Sequence, residues 1–357
     1  MNIITVTGIR PDFIRMSEVF RALDSDPSIN HILIHTGQHY DKLLSGVFFQ
    51  ELNIREPDYN LEIGGNGKEH FHQNAELTVK LIELIRSEDL CPDWVIFLGD
   101  SNSVLVAPSL KKEGINVAHI EAGMRSGDRR MLEEINRIVC DHSSELLFTY
   151  HKDYSDNLFQ ENIPRSKVVN VGNTIVEVVN KHSLEFRKKQ KENSHILLDV
   201  HRPENFKDPE RLQAIFDWAR DLSVEFGVKC ISLKFPRTYD YIDLYEINTH
   251  SVEHIDLMSY KEYIKSVYNA VFVISDSGTA QEEPALLGTP VLVPREFTER
   301  PQSYAANCSR YLPLDYGEVE MMEICNFIVN LSKNMSADWL GCGNTSIEII
   351  KRLKETT

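Results

Sequence analysis

The chain predicts an α/β protein of two Rossmann-like, doubly wound domains facing a cleft, and three observations carry that prediction. Short apolar runs of buried-strand length alternate with amphipathic stretches, the pattern of a parallel sheet covered by helices. Several of those runs end in a Gly, Ser or Asn turn that passes directly into a helical stretch. The chain has 357 residues, more than one core usually organises, and its apolar content of 42% can pack two.

In chain order, residues 2–7 form the first predicted strand, Gly8-Ile9-Arg10-Pro11 its turn and residues 13–23 an amphipathic helix. Residues 31–36 form a second strand ending at Gly37-Gln38-His39. After a helical and loop region, the apolar run 94–98 is a buried strand ending at Gly99-Asp100-Ser101-Asn102, with a helix after it. Residues 116–120 form the next strand, ending at Glu121-Ala122-Gly123. The charged run 185–192 precedes a new strand, 196–200. The run 270–274 ends in Ser275-Asp276-Ser277-Gly278-Thr279, opens a helix carrying Glu282 and Glu283, and leads to another apolar run at 291–293. The last predicted helix, 345–353, crosses back onto the first domain. The expected division is therefore 1–172 and 173–344, with about 345–357 returning to the N-terminal domain.

The formal net charge of −16 argues against a non-specific binder of nucleic acid or of anionic membranes, while leaving room for a local basic site. No apolar run approaches the roughly 18 residues of a membrane span, and the N-terminus enters a strand with no signal-peptide pattern. Six cysteines, at 91, 140, 230, 308, 325 and 342, form no Cys-x-x-Cys pair and no zinc spacing. Free thiols in a reducing compartment fit that usage, so a cytoplasmic protein without a metal is expected.

Open parallel sheets bind ligands outside the carboxyl ends of their strands. In the first half those ends deliver Arg10, His39, Asp100 and Glu121, with Glu133 and Glu134 after an Arg-rich loop. In the second half they deliver His201 with Arg202, then Ser277 to Glu283. Helix N-termini present unpaired N–H groups and partial positive charge, so Ser277, Gly278 and Thr279 could hold a phosphate. Glu283, one turn on, could accept two hydrogen bonds from a ribose diol. Plainer roles stand beside these. Ser277, Thr279 and Asp100 could cap helices, Glu133 and Arg137 could form an i, i+4 ion pair, and His201-Arg202-Pro203-Glu204-Asn205 could be only a turn. Glu121 ends a strand where no cap is needed.

Taken together and in order, these motifs resemble the non-hydrolysing UDP-N-acetylglucosamine 2-epimerases nearly end to end. The resemblance is carried by Gly8-Ile9-Arg10-Pro11-Asp12, Thr36-Gly37-Gln38-His39, Gly99-Asp100-Ser101-Asn102-Ser103 and His119-Ile120-Glu121-Ala122-Gly123-Met124-Arg125. Glu133-Glu134-Ile135-Asn136-Arg137, His201-Arg202-Pro203-Glu204-Asn205 and the block 275–301 complete it. It implies a glycosyltransferase-B-like fold and reversible C2 epimerisation of a UDP-2-acetamido sugar by anti elimination and re-addition of UDP, without NAD or another cofactor. On that likeness Asp100, Glu121 and Glu133 are the acid/base residues, and His201 steadies the departing UDP. Arg10 and Arg137 contact the diphosphate or nucleotide, Ser277, Gly278 and Thr279 hold phosphate, and Glu283 holds the ribose. Gln38 and His39 would belong to a second, regulatory UDP-sugar site, and the protein would be a homodimer.

The chain departs from the family pattern at Leu132, Pro203, Thr279 and Pro284, and at Gly64-Gly65-Asn66-Gly67-Lys68. The segment Ser232-Leu233-Lys234-Phe235-Pro236-Arg237-Thr238 is more like the branch acting on modified, for example 6-deoxy, sugars. A modified UDP-acetamido sugar is therefore the alternative substrate. A hydrolysing epimerase, a glycosyltransferase of the same architecture and an inactive UDP-sugar binder are the alternative functions.

Overall fold

The structure, a computed structural model, describes residues 1–37, 46–64, 69–129, 131–315 and 317–356. Contacts divide the chain into two compact units, one of residues 1–178 with 340–357 and one of residues 179–339.

In the first unit the described residues form a seven-stranded sheet of β1 (Asn2–Thr7), β2 (Asn30–His35), β3 (Tyr59–Asn60), β4 (Trp94–Leu98), β5 (Val117–Ile120), β6 (Leu146–Thr149) and β7 (Val168–Asn170). Their spatial order is β3-β2-β1-β4-β5-β6-β7 and every pairing is parallel. β4 is buried at all five positions, because helices on both faces of a parallel sheet leave no side for polar residues. The core behind it gathers Ile4, Ile34, Val95, Phe97, Val104 and Leu110. Helix Thr345–Thr356 belongs to this unit: Thr345 Oγ1 donates to the Val171 carbonyl at 2.9 Å and Ser346 Oγ to Glu177 at 2.8 Å. Lys354, near its end, donates to Asp26 at 2.5 Å.

The second unit repeats the plan with β8 (His195–Asp199), β9 (Lys229–Leu233), β10 (Glu253–Ile255), β11 (Ala270–Ser275), β12 (Val291–Val293) and β13 (Ser309–Tyr311). Its order is β10-β9-β8-β11-β12-β13, again all parallel. Helix Pro209–Phe226 packs Leu212, Ile215, Phe216 and Trp218 onto Ile196, Leu198, Phe272 and Ile274. Asp208 caps this helix by accepting from the N–H groups of Glu210 and Arg211, and Gly227 ends it in a left-handed turn.

In both units the strand order reverses at one place, between β1 and β4 and between β8 and β11. Loops leaving such a pair of strands diverge to opposite faces and open a crevice, which is where the fold binds ligands. Arg10 follows β1 and Asp100 follows β4; His201 follows β8 and the Ser277 loop follows β11.

The stretches expected to be helical after β4 and β11 begin instead as 3-10 turns, Asn102–Val106 and Thr279–Gln281, before short helices Ala107–Lys112 and Glu283–Leu287. Pro108 and Pro284 occupy the first turns of those helices. Proline lacks an N–H, so each is accommodated in the first helical turn, where the missing donor costs nothing. Among the described residues, no helix is long and apolar enough to cross a membrane.

Candidate functional site

In the first unit three strand ends bring charge together. Helix Arg10–Ser25 follows β1 and carries Arg15, which is buried and ion-paired with the equally buried Glu121 at the end of β5. Glu121 itself has a φ of 73°, a left-handed backbone uncommon outside glycine and a mark of constraint at functional positions. At the end of β4, Asp100 pairs with Arg137 of helix Leu132–Ser143, and Asn136 of the same helix donates to the Asp100 carbonyl at 2.8 Å.

Arg137, almost fully buried, also donates to Glu134 at 2.7 Å. Glu134 in turn accepts from the Ser126 N–H and hydroxyl, both at 3.0 Å, and from the Gly127 N–H at 3.1 Å. Of the adjacent glutamates, Glu134 therefore anchors the loop after Glu121, while Glu133 beside it is half-buried. Arg137, expected to contact the diphosphate or nucleotide, pairs in the structure with Asp100 and with Glu134.

Beneath these groups lies His119, fully buried on β5. Its Nδ1 donates to Asp141 at 2.7 Å and its Nε2 to the Gly99 carbonyl at 2.7 Å. A carbonyl oxygen and a carboxylate only accept, so both ring nitrogens carry protons and the ring is an imidazolium. Burial alone would lower its pKa; the neighbouring Cys140 and Asp141 reverse this and hold it well above the ordinary histidine value. Asp141 also accepts from the Gly123 N–H at 3.1 Å and pairs with Arg125 at 2.8 Å. Gly123 has a φ of 79°, and a Cβ there would stand 2.2 Å from the Tyr154 carbonyl, so only glycine fits this turn. The imidazolium thus ties the loop bearing Asp100 to the loop bearing Glu121.

Asp12, buried in the first turn of helix Arg10–Ser25, has its pKa pushed up to about 7. Burial is the main cause; Arg15 and a hydrogen bond with Ser101 oppose it, and the charge of Asp100 adds to it. A carboxyl titrating near neutrality beside the candidate acid/base groups is itself suited to proton transfer. Because its folded pKa lies above the unfolded 3.8, its contribution to stability is full below about pH 4 and is lost as pH rises toward 7. Asp12→Asn should therefore be more stable than the wild type at pH 8, with the difference shrinking toward pH 4, as urea titrations at the two pH values would read.

In the second unit, β8 ends at Asp199 and the chain turns through His201. The His201 Nδ1 donates to Asp199 at 2.9 Å and lies 3.6 Å from Asp276. The oxygens of Asp276, fully buried, accept from the His201 and Arg202 N–H groups at 3.0 Å and from Asn205 Nδ2 at 3.0 Å. This clamp fixes the His201-Arg202-Pro203-Glu204-Asn205 turn on the start of the Ser277 loop. The ligand atoms of Asp199, His201 and Asp276 fall within 4.8 Å of one another. The set does not fit a cation, because N–H donors already occupy the Asp276 oxygens.

In the Ser277 loop the Ser277 and Thr279 hydroxyls meet at 3.1 Å, and Ser277 N–H donates to Ser275 Oγ at 3.1 Å. A Cβ on Gly278 would come within 2.5 Å of Arg300 Nη1. Arg300, buried, donates to Glu282 at 2.5 Å and to Glu299 at 2.7 Å. Gly278 therefore lets the Arg300 guanidinium and the Glu299 carboxylate paired with it pass directly beneath the loop. Glu283 is buried at the start of its short helix, and its charge, with that of Asp199, bears on Tyr263. Arg10 is half-buried at the first position of its helix. Gln38, His39 and most of the 64–68 segment lie outside the described residues.

A family model described as UDP-N-acetylglucosamine 2-epimerase matches residues 21–354. The chain belongs to the UDP-N-acetylglucosamine 2-epimerase family. It is 36% identical over 318 residues to the UDP-N-acetylglucosamine 2-epimerase of Methanococcus maripaludis, covering 85% of each chain. It is 35% identical over 309 residues to the UDP-2,3-diacetamido-2,3-dideoxy-D-glucuronate 2-epimerase of Pseudomonas aeruginosa, covering 84% of each. Among solved structures, the Methanocaldococcus jannaschii UDP-GlcNAc 2-epimerase in complex with UDP-GlcNAc and UDP superposes with a TM-score of 0.89 at 30% identity, over 99% of this chain and 100% of that one. The two doubly wound units are those of a glycosyltransferase-B-like fold, and the family's members are isomerases.

Asp12, Arg15, Asp141, Asp199, Tyr263 and Arg300 were not singled out from the sequence. Arg15 had a usable signal, since a charged residue one turn after a strand-to-helix junction falls under the sheet end. Asp199, the last residue of an apolar strand, had another.

Proposed function

We propose that this protein reversibly interconverts UDP-N-acetylglucosamine and UDP-N-acetylmannosamine. In the forward direction the C1–O bond breaks with its electron pair leaving on the UDP oxygen, a carboxylate takes the C2 proton, and a C1=C2 bond forms. UDP adds back after a proton has returned to the opposite face of C2. The C2 hydrogen is activated by no carbonyl, so departure of UDP has to develop positive charge at C1 and acidify that proton. Carboxylates suit both tasks, and general acid/base catalysis contributes about 10²–10⁴-fold.

The observation that carries this reading is the constrained, buried Glu121 against Arg15, at a strand end neighbouring that of Asp100. Glu133 is the third acid/base group in this reading. The second unit would hold UDP, with the Ser277-Gly278-Thr279 loop and Arg300 at the phosphates, Glu283 at the ribose and His201 at the leaving oxygen. Arg10 and Arg137 complete the anion contacts. Gln38 and His39 as a regulatory site, and a homodimeric assembly, belong to the same reading.

The test is proton NMR with UDP-N-acetylglucosamine in deuterated water. Deuterium entering C2 together with a manno-type signal is the expected result. Free UDP accumulating would move the reading to a hydrolysing enzyme, and UDP binding without any exchange would overturn epimerisation of this sugar. A modified UDP-acetamido sugar is the second reading, favoured by the 35% identity to the Pseudomonas aeruginosa relative, and the same experiment with UDP-2,3-diacetamido-2,3-dideoxy-D-glucuronate decides it.

A further inference from the structure

The environment of His201 is more built than a turn requires. Its ring sits between two carboxylates on neighbouring strands: Asp199, the last residue of β8, at 2.9 Å from Nδ1, and Asp276, just after β11, at 3.6 Å. The Phe235 ring packs against it at 4.7 Å between centroids. Asp199 is 5% exposed and Asp276 is fully buried, yet about a third of the His201 side chain remains accessible. Asp276 is occupied in holding the backbone of the turn, so Asp199 is the carboxylate engaged with the ring itself. Its second oxygen accepts from the Tyr263 hydroxyl at 3.4 Å, which keeps the carboxylate from rotating away. Burial, with the charges of Asp199 and Glu283, pushes the Tyr263 pKa well above the ordinary tyrosine range, so the hydroxyl stays a donor.

We propose that Asp199 is a positioning residue for catalysis: it fixes Nδ1–H of His201 and stabilises the imidazolium, so that Nε2–H points out of the protein toward the leaving diphosphate oxygen. The inference rests on the reading of His201 as the group that receives the departing UDP. No net proton moves in this step. As the C1–O bond breaks, the electron pair goes to the diphosphate oxygen, Nε2–H donates a hydrogen bond to it, and Asp199 balances the ring's positive charge. A carboxylate-held imidazole with its other nitrogen free is how proteins set both the tautomer and the orientation of a working histidine. Among the described residues no protein group is bonded to Nε2, which leaves that nitrogen for substrate.

The charges bearing on the ring are those of Asp199 and Asp276, which raise the His201 pKa above 6.5, and that of Arg202, which lowers it together with burial; Tyr263 acts only through Asp199. Removing the Asp199 charge therefore moves the His201 titration downward. The test compares wild type with Asp199→Asn and Asp199→Glu. One measurement is the pH dependence of kcat for C2 exchange; the other is the titration of the His201 ring nitrogens by ¹H–¹⁵N NMR, free and with UDP. Expected for Asp199→Asn are a 10- to 100-fold lower kcat, KM within about threefold of wild type, a basic limb displaced to lower pH, and a matching shift of the ring titration. Partial recovery is expected with Asp199→Glu.

Unchanged kcat and an unchanged ring titration in Asp199→Asn would overturn the proposal. So would a loss of kcat with no displacement of the limb, because a merely structural role gives that pattern. If the wild type catalyses no exchange, the functional reading fails by itself. The ring titration then still decides whether Asp199 governs His201, and its failure to shift would overturn that as well.

Discussion

Glu121→Gln is expected to lower kcat by about 10²–10⁴-fold while UDP still binds. The substitution keeps the side chain's length and shape and can still accept a hydrogen bond from Arg15. It removes the capacity to take or return a proton. UDP affinity should hold within a few-fold, because Glu121 is not among the groups assigned to the nucleotide. Stability will also fall, since Arg15 is buried and loses its counter-charge; breaking a buried ion pair costs about 3–5 kcal/mol when nothing replaces the partner. The retained hydrogen bond should keep the loss below that figure. Circular dichroism and urea unfolding establish that the variant is folded before its activity is read. Near-normal C2 exchange in a folded variant would remove Glu121 from the acid/base set and leave Asp100, Glu133 and Asp12 to carry the chemistry.

The strands were legible because parallel strands buried on both faces have to be uniformly apolar. β4 stands out for that reason, as does the Ile196-Leu197-Leu198 centre of β8, and the ends of these strands then mark the ligand positions. The turns leaving those strands were less legible. Where the α-helix can begin after Asp100 and after the Ser277 loop is tied to Pro108 and Pro284, which sit in the first turns because they lack an N–H, and the apolar period does not carry that. The partners of the charged residues are hidden in the sequence for a different reason. Glu133, Glu134 and Arg137 share one helix, and sequence spacing alone allows Arg137 to face either glutamate. Tertiary packing decides, because the loop 126–127 brings its N–H groups to Glu134 and Asp100 arrives from β4. Likewise the glycine at 278 reads as a phosphate turn, whereas the side chain that requires it, Arg300, comes from a distant loop. Long-range charge pairing of this kind leaves no period and no fixed offset in the chain.

Asp141→Asn should be among the most destabilising single substitutions in the first unit, by about 3–5 kcal/mol near pH 6, because it leaves a buried imidazolium and Arg125 without their shared carboxylate. The pH dependence separates this from a simple packing defect. His119 has a folded pKa raised above its unfolded 6.5, so its contribution is full below that value and is lost as pH rises through the higher folded pKa. Burial would raise the Asp141 pKa, but His119 and Arg125 outweigh it and hold the carboxyl below 3.8. That contribution is therefore present above 3.8 and lost as pH falls through the folded value. The stability gap between wild type and Asp141→Asn should accordingly be widest between about pH 4 and pH 6.5 and should narrow on both sides. Urea titrations at pH 3, 5.5 and 9 read it directly. A gap constant across that range would mean that the two groups contribute by shape alone. Because Asp141 also accepts from the Gly123 N–H, the variant should loosen the Glu121-Ala122-Gly123 turn, so kcat should fall along with stability even in the fraction that remains folded.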